Sequence, residues 1–330
     1  MANLTNGVSA KPCSSRSAFK RTVFAEFLMS TLLLVSCNSV GDDFAVDRWQ
    51  VVASSTIIGD VVKRVGGQRI ELTVLLPIGL DPHAFEPTPQ DLRAISHADL
   101  VFINGAGLEE FLPKIIQSLA NPEVIVDLSE GIPLLSLANG HLEEDHEEEE
   151  HEHGGFDPHV WLDPTLVKVW TLNIAETLGG IDPDHRDEFF ANAQTYTSEL
   201  DDLDVWIFAQ ISNVEPDRRT LISDHNEFGY FARRYGFQII GLVIPAFSTM
   251  AEPSARDLAA LEDTIRREGV EVLITGTDIH FDRIQTIQND TGIRVLSLYS
   301  ASLSPVGGPA STYLDLMRYN AGEIVAALLD

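Results

Sequence analysis

The sequence is poor in cysteine and in positive charge. Only two of its 330 residues are cysteines, Cys13 and Cys37, so neither a disulfide framework nor a cluster of thiolate metal ligands is available. Its 22 lysine and arginine residues are outnumbered by 50 aspartates and glutamates, which gives a net charge of −28 at pH 7. Such a surface repels the phosphates of nucleic acids and attracts cations. Nucleic-acid binding is therefore not expected, and a cationic ligand is favoured.

The first 37 residues have the pattern of an export signal. Basic residues precede a short apolar run from Phe27 to Val35, which is too short for a stable membrane span. The run ends in LLVSC at Cys37, which is similar to the lipobox of bacterial lipoproteins, where the cysteine becomes the lipidated N-terminus. A plain signal peptide with an incidental cysteine is the alternative. Cleavage would remove Cys13, four basic residues and one acid, and would take the net charge from −28 to −31.

After Asp47, short β-branched runs alternate with longer amphipathic segments. Near-continuous apolar runs of this length are typical of strands buried on both faces of a parallel sheet. The alternation predicts an α/β fold with two βα lobes of four mainly parallel strands each. No later apolar stretch approaches the ~20 residues of a membrane-spanning helix, so contact with the membrane is expected only through a lipid anchor. The predicted strands are 49–55, 70–77, 99–105 and 124–129, then 220–224, 238–244, 270–276 and 293–299.

A long helix is predicted between the two sets of strands, over residues 184–212. Apolar residues from Phe189 to Ile211 recur at spacings of three and four and form one stripe. At 1.5 Å per residue the helix would be on the order of 40 Å long, enough to run along both lobes. A long core helix without a connecting role is the alternative. The predicted organisation is a signal (1–37), a first lobe (38–183), a linking helix (184–215) and a second lobe (216–330).

Residues 141–153 interrupt this order with eight acids and four histidines. Such a segment cannot bury apolar surface and is predicted to be a solvated loop. A charged run of this kind usually has no further role, but imidazole and carboxylate groups together form a weak multi-site set of zinc ligands. The candidate secondary metal contacts are His141, His146, His151 and His153.

Three other histidines lie in loops near the ends of predicted strands. His83 follows the second strand, His159 follows the acidic segment, and His225 follows the first strand of the second lobe. Ligands of open parallel sheets bind outside the carboxyl ends of the strands, so a cleft between the lobes could bring the three imidazoles together as a zinc-binding set. Taken singly, a loop histidine is more often a hydrogen-bonding turn residue, and the repeated Asp-Pro-His is itself a turn signal.

Five segments carry a specific combination of motifs: GLDPHAFEPTPQDL, DPHVWLDP, DHNEFGYFARRYGF, STMAEPSARDLAAL and ASTYLDLMRYN. In these segments the chain resembles the zinc- and manganese-binding solute-binding proteins of bacterial ABC importers, the ZnuA/TroA-like cluster A-I group. The resemblance extends from about residue 49 to the C-terminus. It implies two Rossmann-like lobes joined by one rigid helix, with the metal between them and His83, His159 and His225 as its ligands.

The same resemblance implies a function. The expected protein is a monomer at the periplasmic or extracellular face of the cytoplasmic membrane, without catalytic residues, that captures Zn²⁺ and delivers it to an ABC permease. Mn²⁺ is the second candidate ion. Relatives selective for manganese tend to have a carboxylate at the position of His225, and a histidine there favours zinc.

The chain departs from the family after the last strand. Many relatives have an aspartate there as a fourth ligand, in a context like LYSDSLS, whereas this chain reads LYSASLS with Ala301. The fourth position would then be filled by water, by the hydroxyl of Ser300 or Ser302, by a carboxylate from elsewhere, or by a loop histidine.

Two alternative functions remain at the level of sequence. Three histidines with an open position also occur in catalytic zinc sites, and a hydrolase would need Asp224 or Glu227 as its general base, although no HExxH or nucleophile-elbow motif is present. The other alternative is a surface metal buffer or adhesin that acts through residues 141–153. For a binding protein, affinity is expected to fall as the pH drops through ~6.5, because the imidazoles must be deprotonated to bind metal.

Overall fold

The computed structural model describes residues 48–117, 119, 121–136, 155–277 and 281–329. The predicted export signal with Cys37 lies outside these residues, as does the acidic segment with His141, His146, His151 and His153. Within the described ranges, no helix has the length and apolar character that a bilayer span requires.

The eight predicted strands are all present, and they form two four-stranded parallel sheets. The order is β2-β1-β3-β4 in the first sheet and β6-β5-β7-β8 in the second, so both sheets have the same topology. Each strand is shorter than the apolar run that predicted it, because the chain leaves the sheet to enter a loop or a helix cap. The strands are β1 (Trp49–Ala53), β2 (Ile70–Val74), β3 (Leu100–Ile103), β4 (Ile125–Asp127), β5 (Thr220–Ser223), β6 (Gln238–Leu242), β7 (Val272–Gly276) and β8 (Arg294–Leu298).

Helices connect the strands, and their ends follow the local sequence. Thr88 and Ser254 each form a capping box with an aspartate three residues later. Gly269 ends its helix in the left-handed region (φ 65°), which glycine adopts without strain. The α-helices of the described residues are α1 (Thr56–Gly66), α2 (Pro89–His97), α3 (Leu112–Ile116), α4 (Pro164–Ile181), α5 (Arg186–Ile211), α6 (Gly229–Tyr235), α7 (Ala255–Glu268), α8 (Phe281–Thr291) and α9 (Tyr313–Leu329).

The last helix begins later than the sequence pattern suggests. A helix is predicted over 308–329, but α9 begins at Tyr313, and residues 308–312 form turns and bends. The hydroxyl of Thr312 accepts a hydrogen bond from the Asp315 N–H (3.2 Å) and donates one to its carboxylate (2.7 Å). This N-terminal cap fixes the start of the helix, and the sequence prediction overlooked it.

A single buried cluster extends through both lobes. It contains residues of the first sheet, such as Val51, residues of the second sheet, such as Leu221, and Tyr313 of α9. Val52 and Ile222 belong instead to two smaller clusters, one in each lobe. Because successive side chains of a strand point to opposite faces of the sheet, the neighbours Val51 and Val52 belong to different buried clusters. Each sheet is therefore buried on both faces, as its apolar runs predict.

Helix α5 joins the two Rossmann-like lobes. At 26 residues it is about 39 Å long. It packs against α1 and α4 of the first lobe and against α9 of the second. Asp204, on its buried side, accepts hydrogen bonds from the guanidinium of Arg234 and the hydroxyl of Tyr235, both in α6. The buried apolar residues of the stripe are Phe189, Ala193, Tyr196, Leu200, Leu203, Ile207 and Ile211.

The burial of one side of α5 predicts how substitutions on this helix change the free energy of unfolding. Leu200 is fully buried, so Leu200→Ala should lower the free energy of unfolding by about 2–5 kcal/mol through lost contacts and a cavity. Val205 lies on the same helix but is 68% exposed, and Val205→Ala should change stability by less than about 0.5 kcal/mol. Urea denaturation of both variants would measure this. Equal losses would contradict the assignment of Leu200 to the core.

Candidate metal centre

His83, His159 and His225 converge on one small cavity. His83 lies in the loop after β2, His159 immediately precedes the 3₁₀ turn that leads to α4, and His225 follows β5. The Nε2 atoms of His83 and His159 are 3.2 Å apart. The ring centroids of the three pairs are 5.2–5.7 Å apart, and each histidine is at most 7% exposed. Two loops of the first lobe and one of the second thus bring together imidazoles that are far apart in the sequence.

The repeated Asp-Pro-His sequence forms the same turn in both places. The carboxylates of Asp81 and Asp157 accept hydrogen bonds from the backbone N–H of His83 and His159, both at 2.9 Å. An aspartate that bonds to a backbone N–H two residues later is a common turn device. The repeat therefore has a local structural role, and that role fixes the backbone from which each imidazole projects.

Two aspartates orient the imidazole rings. Nδ1 of His159 lies 2.8 Å from Oδ1 of Asp157, and Nδ1 of His225 lies 2.7 Å from Oδ1 of Asp224. Asp224 also accepts hydrogen bonds from the hydroxyl of Thr275 and the N–H of Gly276 at the end of β7. With Nδ1 engaged in this way, Nε2 of each ring is left to face the cavity, which is the arrangement typical of metal-binding histidines.

The three histidines differ in their affinity for protons. Burial and the neighbouring imidazoles lower the pKa of His83 to about 3, and burial places the pKa of His159 well below its usual value. Burial also disfavours the charged form of His225, but the carboxylates of Glu227 and Asp224 outweigh it and raise the pKa of His225 to about 9. Near neutral pH the cavity therefore holds two neutral imidazoles and one imidazolium.

Two further features stand out around the His225 ring. Its Nε2 has no hydrogen-bond partner among the described residues, which is unusual for a buried polar atom. Burial raises the pKa of the nearby Asp157 carboxyl to about 8. Several buried ionisable groups with shifted pKa values thus lie close together here, which is typical of functional sites.

Other residues of the cavity wall differ in whether they could offer a fourth ligand to a metal. Ala301 lines the cavity and offers no donor atom, and Ser300 lines it as well. The hydroxyl of Ser302 instead accepts a hydrogen bond from the N–H of Gly79 (3.0 Å). Glu227 lines the cavity, with Oε2 3.8 Å from Nε2 of His225.

The sequence prediction overlooked several residues that hold the site in place. The hydroxyl of Thr249, in the second lobe, donates a hydrogen bond to Asp81 in the first. The hydroxyl of Tyr230 donates to the carbonyl of Asp157 (2.9 Å), and the indole of Trp161 packs edge-on against His159. The aspartates could have been found from their places in Asp-Pro-His, but the partners from the other lobe carry no local signal.

The environment of His225 predicts its titration. In metal-free protein its imidazole should titrate near pH 9, and Asp224→Asn should lower that pKa by about one pH unit or more, because it removes a negative charge from the ring. Asp217→Asn removes an exposed charge from the turn before β5 and should leave the titration unchanged. Histidine ring resonances followed by NMR would report this. Titration of His225 below pH 6.5 would contradict the assignment.

Comparison with known proteins identifies the family of this chain. The family described as zinc-uptake complex component A, periplasmic (ZnuA) matches residues 51–327. The chain is 29% identical over 314 residues to the manganese-binding lipoprotein MntA of Halalkalibacterium halodurans, covering 94% of this chain and 99% of that protein. It is 28% identical over 318 residues to the iron ABC transporter substrate-binding lipoprotein MtsA of Streptococcus pyogenes, covering 94% and 98%.

A solved structure shares the two-lobe fold. The periplasmic zinc-binding protein TroA from Treponema pallidum superposes with a TM-score of 0.74 at 28% identity, covering 84% of this chain and 98% of TroA. The family match extends over most of the chain and includes all three cavity histidines. The chain therefore belongs to the ZnuA family of periplasmic metal-uptake components.

Proposed function

We propose that this protein captures Zn²⁺ outside the cytoplasmic membrane and delivers it to the permease of an ABC importer. The observation that carries the proposal is the convergence of three buried imidazoles, His83, His159 and His225, with Nε2 atoms of two of them 3.2 Å apart. Zinc–nitrogen bonds of about 2.0–2.1 Å place two ligands of a tetrahedral zinc about 3.3–3.4 Å apart. His83 and His159 are thus spaced as two ligands of one zinc ion would be, and the ligand atoms of all three histidines lie within 4.8 Å of one another.

The donor atoms favour zinc over manganese. Imidazole nitrogens suit zinc, whereas Mn²⁺ prefers carboxylate, carbonyl and water oxygens. The family description and TroA name zinc, while MntA and MtsA are named for manganese and iron. We take Zn²⁺ as the preferred ion because all three converging groups are nitrogen donors, and Mn²⁺ as the competitor to be tested.

Binding in this proposal requires no covalent chemistry. His83 and His159 come from the first lobe and His225 from the second, so one ion would link loops of both lobes and stabilise one arrangement of them for the permease to recognise. Zinc would also displace the proton of His225. A general base for hydrolysis is not needed, and the family of uptake components supports a role in binding.

The remaining parts of the chain take roles in the same proposal. Residues 1–37 would direct export, with Cys37 as a lipid anchor, and the mature monomer would comprise the lobes 38–183 and 216–330 joined by the segment 184–215. The histidines of residues 141–153 would act as secondary, weaker contacts for zinc.

The central test is calorimetric titration of the mature chain with Zn²⁺ and Mn²⁺. One tight zinc site should persist when residues 141–153 are deleted. In that background His225→Ala should weaken zinc binding by more than the roughly 10–100-fold typical of residues that only hold a ligand in place. His97→Ala, which alters an exposed histidine at the end of α2, is the matched control and should bind zinc normally.

Two results would overturn the proposal. If His225→Ala binds zinc as tightly as its parent, the three-histidine site is wrong. If deletion of residues 141–153 removes nearly all zinc binding, the protein is a metal buffer that acts through that segment.

Zinc affinity should depend on pH over a range set by His225. Below its pKa of about 9, zinc must displace one proton, so the affinity should fall about tenfold for each pH unit of acidification between pH 8 and pH 6. His83, with a pKa of about 3, adds nothing to this slope. The fall therefore begins at a higher pH than the ~6.5 of an unperturbed histidine. Competition titrations at several pH values would measure it, and a constant affinity from pH 6 to 8 would contradict it.

A further inference from the structure

The turn that follows β3 has an unusual backbone. Gly105, Ala106 and Gly107 are consecutive residues with positive φ (78°, 51° and 86°). In the part of the chain that the structure describes, Ala106 is the only residue other than glycine with a positive φ. A side chain at such a φ costs free energy, and conformations of this kind persist where surrounding contacts enforce them, often near functional sites. The contacts of the turn show what enforces it and what it reaches.

A buried glutamate holds the turn from inside. Oε1 of Glu109 accepts hydrogen bonds from the hydroxyl of Ser54 (2.7 Å) and the N–H of Asn104 (2.8 Å). Its Oε2 accepts a third hydrogen bond from the N–H of Gly105 (3.1 Å). Ser54 directly follows β1 and Asn104 directly follows β3, and these two strands are paired. Glu109 therefore ties the turn to the carboxyl ends of two neighbouring strands.

The turn directs the side chain of Asn104 toward the loop of His159. The amide nitrogen of Asn104 donates to the carbonyl of Gly105 (2.8 Å) and to the carbonyl of Pro158 (2.9 Å). The nitrogen of the amide, and not its oxygen, must face these two atoms because both are acceptors. Asn104 is fully buried, and its Oδ1 has no hydrogen-bond partner among the described residues. An unpartnered buried oxygen costs free energy, so the favourable contribution of this side chain comes from its N–H groups.

The hydrogen bond to Pro158 fixes the peptide group that leads into His159. The N–H of this peptide donates to the carboxylate of Asp157 (2.9 Å). Its carbonyl accepts hydrogen bonds from Asn104 and from the N–H of Val160 (2.8 Å). Asp157 and Val160 belong to the same loop, whereas Asn104 joins the peptide to the end of β3. Rotation of this peptide would reorient the Cα–Cβ bond of His159 and displace its ring.

We infer that Asn104 is a positioning residue for the metal ligand His159, and that Glu109 in turn positions Asn104. The inference rests on the proposed function, because it assumes a zinc ion bound by His159. The residues that line the metal cavity include His159 but neither Asn104 nor Glu109, so both would act through the ligand without touching the ion. Residues that act on a metal in this way typically change its affinity by about 10–100-fold.

The first test is zinc titration of the mature chain without residues 141–153, in the presence of a competing chelator. Asn104→Leu replaces the donor amide with an apolar side chain of similar size, and it should weaken zinc binding by about 10–100-fold. Asn192→Leu is the matched control. The amide of Asn192, in α5, donates to the carbonyl of Val65 (2.9 Å), and neither residue lines the cavity. This variant should change zinc affinity by less than about twofold.

Two further readouts separate positioning from a general loss of structure. Circular dichroism and urea denaturation of metal-free Asn104→Leu should show a folded protein, because both carbonyls keep a second donor, the N–H groups of Leu108 and Val160. The visible absorption of Co²⁺ bound in place of zinc reports the arrangement of the ligands, and it should change in Asn104→Leu but not in Asn192→Leu. Asn104→Asp, which keeps the size of the side chain but replaces the donor nitrogen with oxygen, is the second variant and should also lose zinc affinity.

A double-mutant cycle tests the role of Glu109. Glu109→Gln replaces one of the two acceptor oxygens with a donor, so it should loosen the turn and weaken zinc binding. Because Glu109 acts through Asn104, adding Glu109→Gln to Asn104→Leu should cost little more affinity than Asn104→Leu alone. Additive losses would contradict this order of action. Ser54→Ala, which removes one donor to Glu109, takes the place of Glu109→Gln in the cycle if that variant does not fold.

The outcomes distinguish this inference from the proposed function. If Asn104→Leu binds zinc like its parent while His225→Ala does not, the inference is wrong and the proposed function stands. The inference is also wrong if the Co²⁺ spectrum of Asn104→Leu matches that of its parent, because the ligands would then be undisturbed. If His225→Ala binds zinc normally, the proposed site itself is wrong.

Discussion

Three imidazole rings are buried side by side in this protein, and the loops around them follow from the need to satisfy their polar atoms. A buried polar group without a partner costs free energy, so each ring nitrogen must be bonded or face a ligand. Asp157 and Asp224 meet this need at the Nδ1 atoms of His159 and His225, and Asp224 is in turn fixed to the end of β7. The geometry of the cavity is thereby tied to the carboxyl ends of the sheets.

The architecture could be predicted from the sequence because its signals are local. Apolar runs gave the eight strands, and residues such as Thr88, Ser254 and Gly269 mark helix ends through hydrogen bonds within a few positions. The start of α9 also has a local signal, the cap at Thr312, which the prediction of a helix from Gly308 overlooks. Some predicted strands extend past the observed ends because apolar side chains continue into the loops, as Leu75 does after β2 and Val243 after β6.

The candidate site was less predictable because it depends on contacts between distant segments. His83, His159 and His225 stand out by their position after strands and by family resemblance, but their convergence is a property of the folded lobes. The link between Thr249 and Asp81 joins residues 168 positions apart and has no local signature. The sequence shows that Asp224 and Glu227 both lie close to His225. It does not show which nitrogen of the imidazole ring each carboxylate lies near.

The buried cluster that extends through both lobes has a mechanical consequence. Hinge closure requires a few flexible residues between rigid bodies, but here a helix whose apolar side is buried along its length joins the lobes. Opening them widely would expose much of that shared core to water. Loaded and empty forms are therefore expected to have nearly the same outline and to differ by small shifts at the mouth of the cavity. A permease that distinguishes them would have to sense loops at this mouth, where strand ends from both sheets meet, and not the angle between two moving halves.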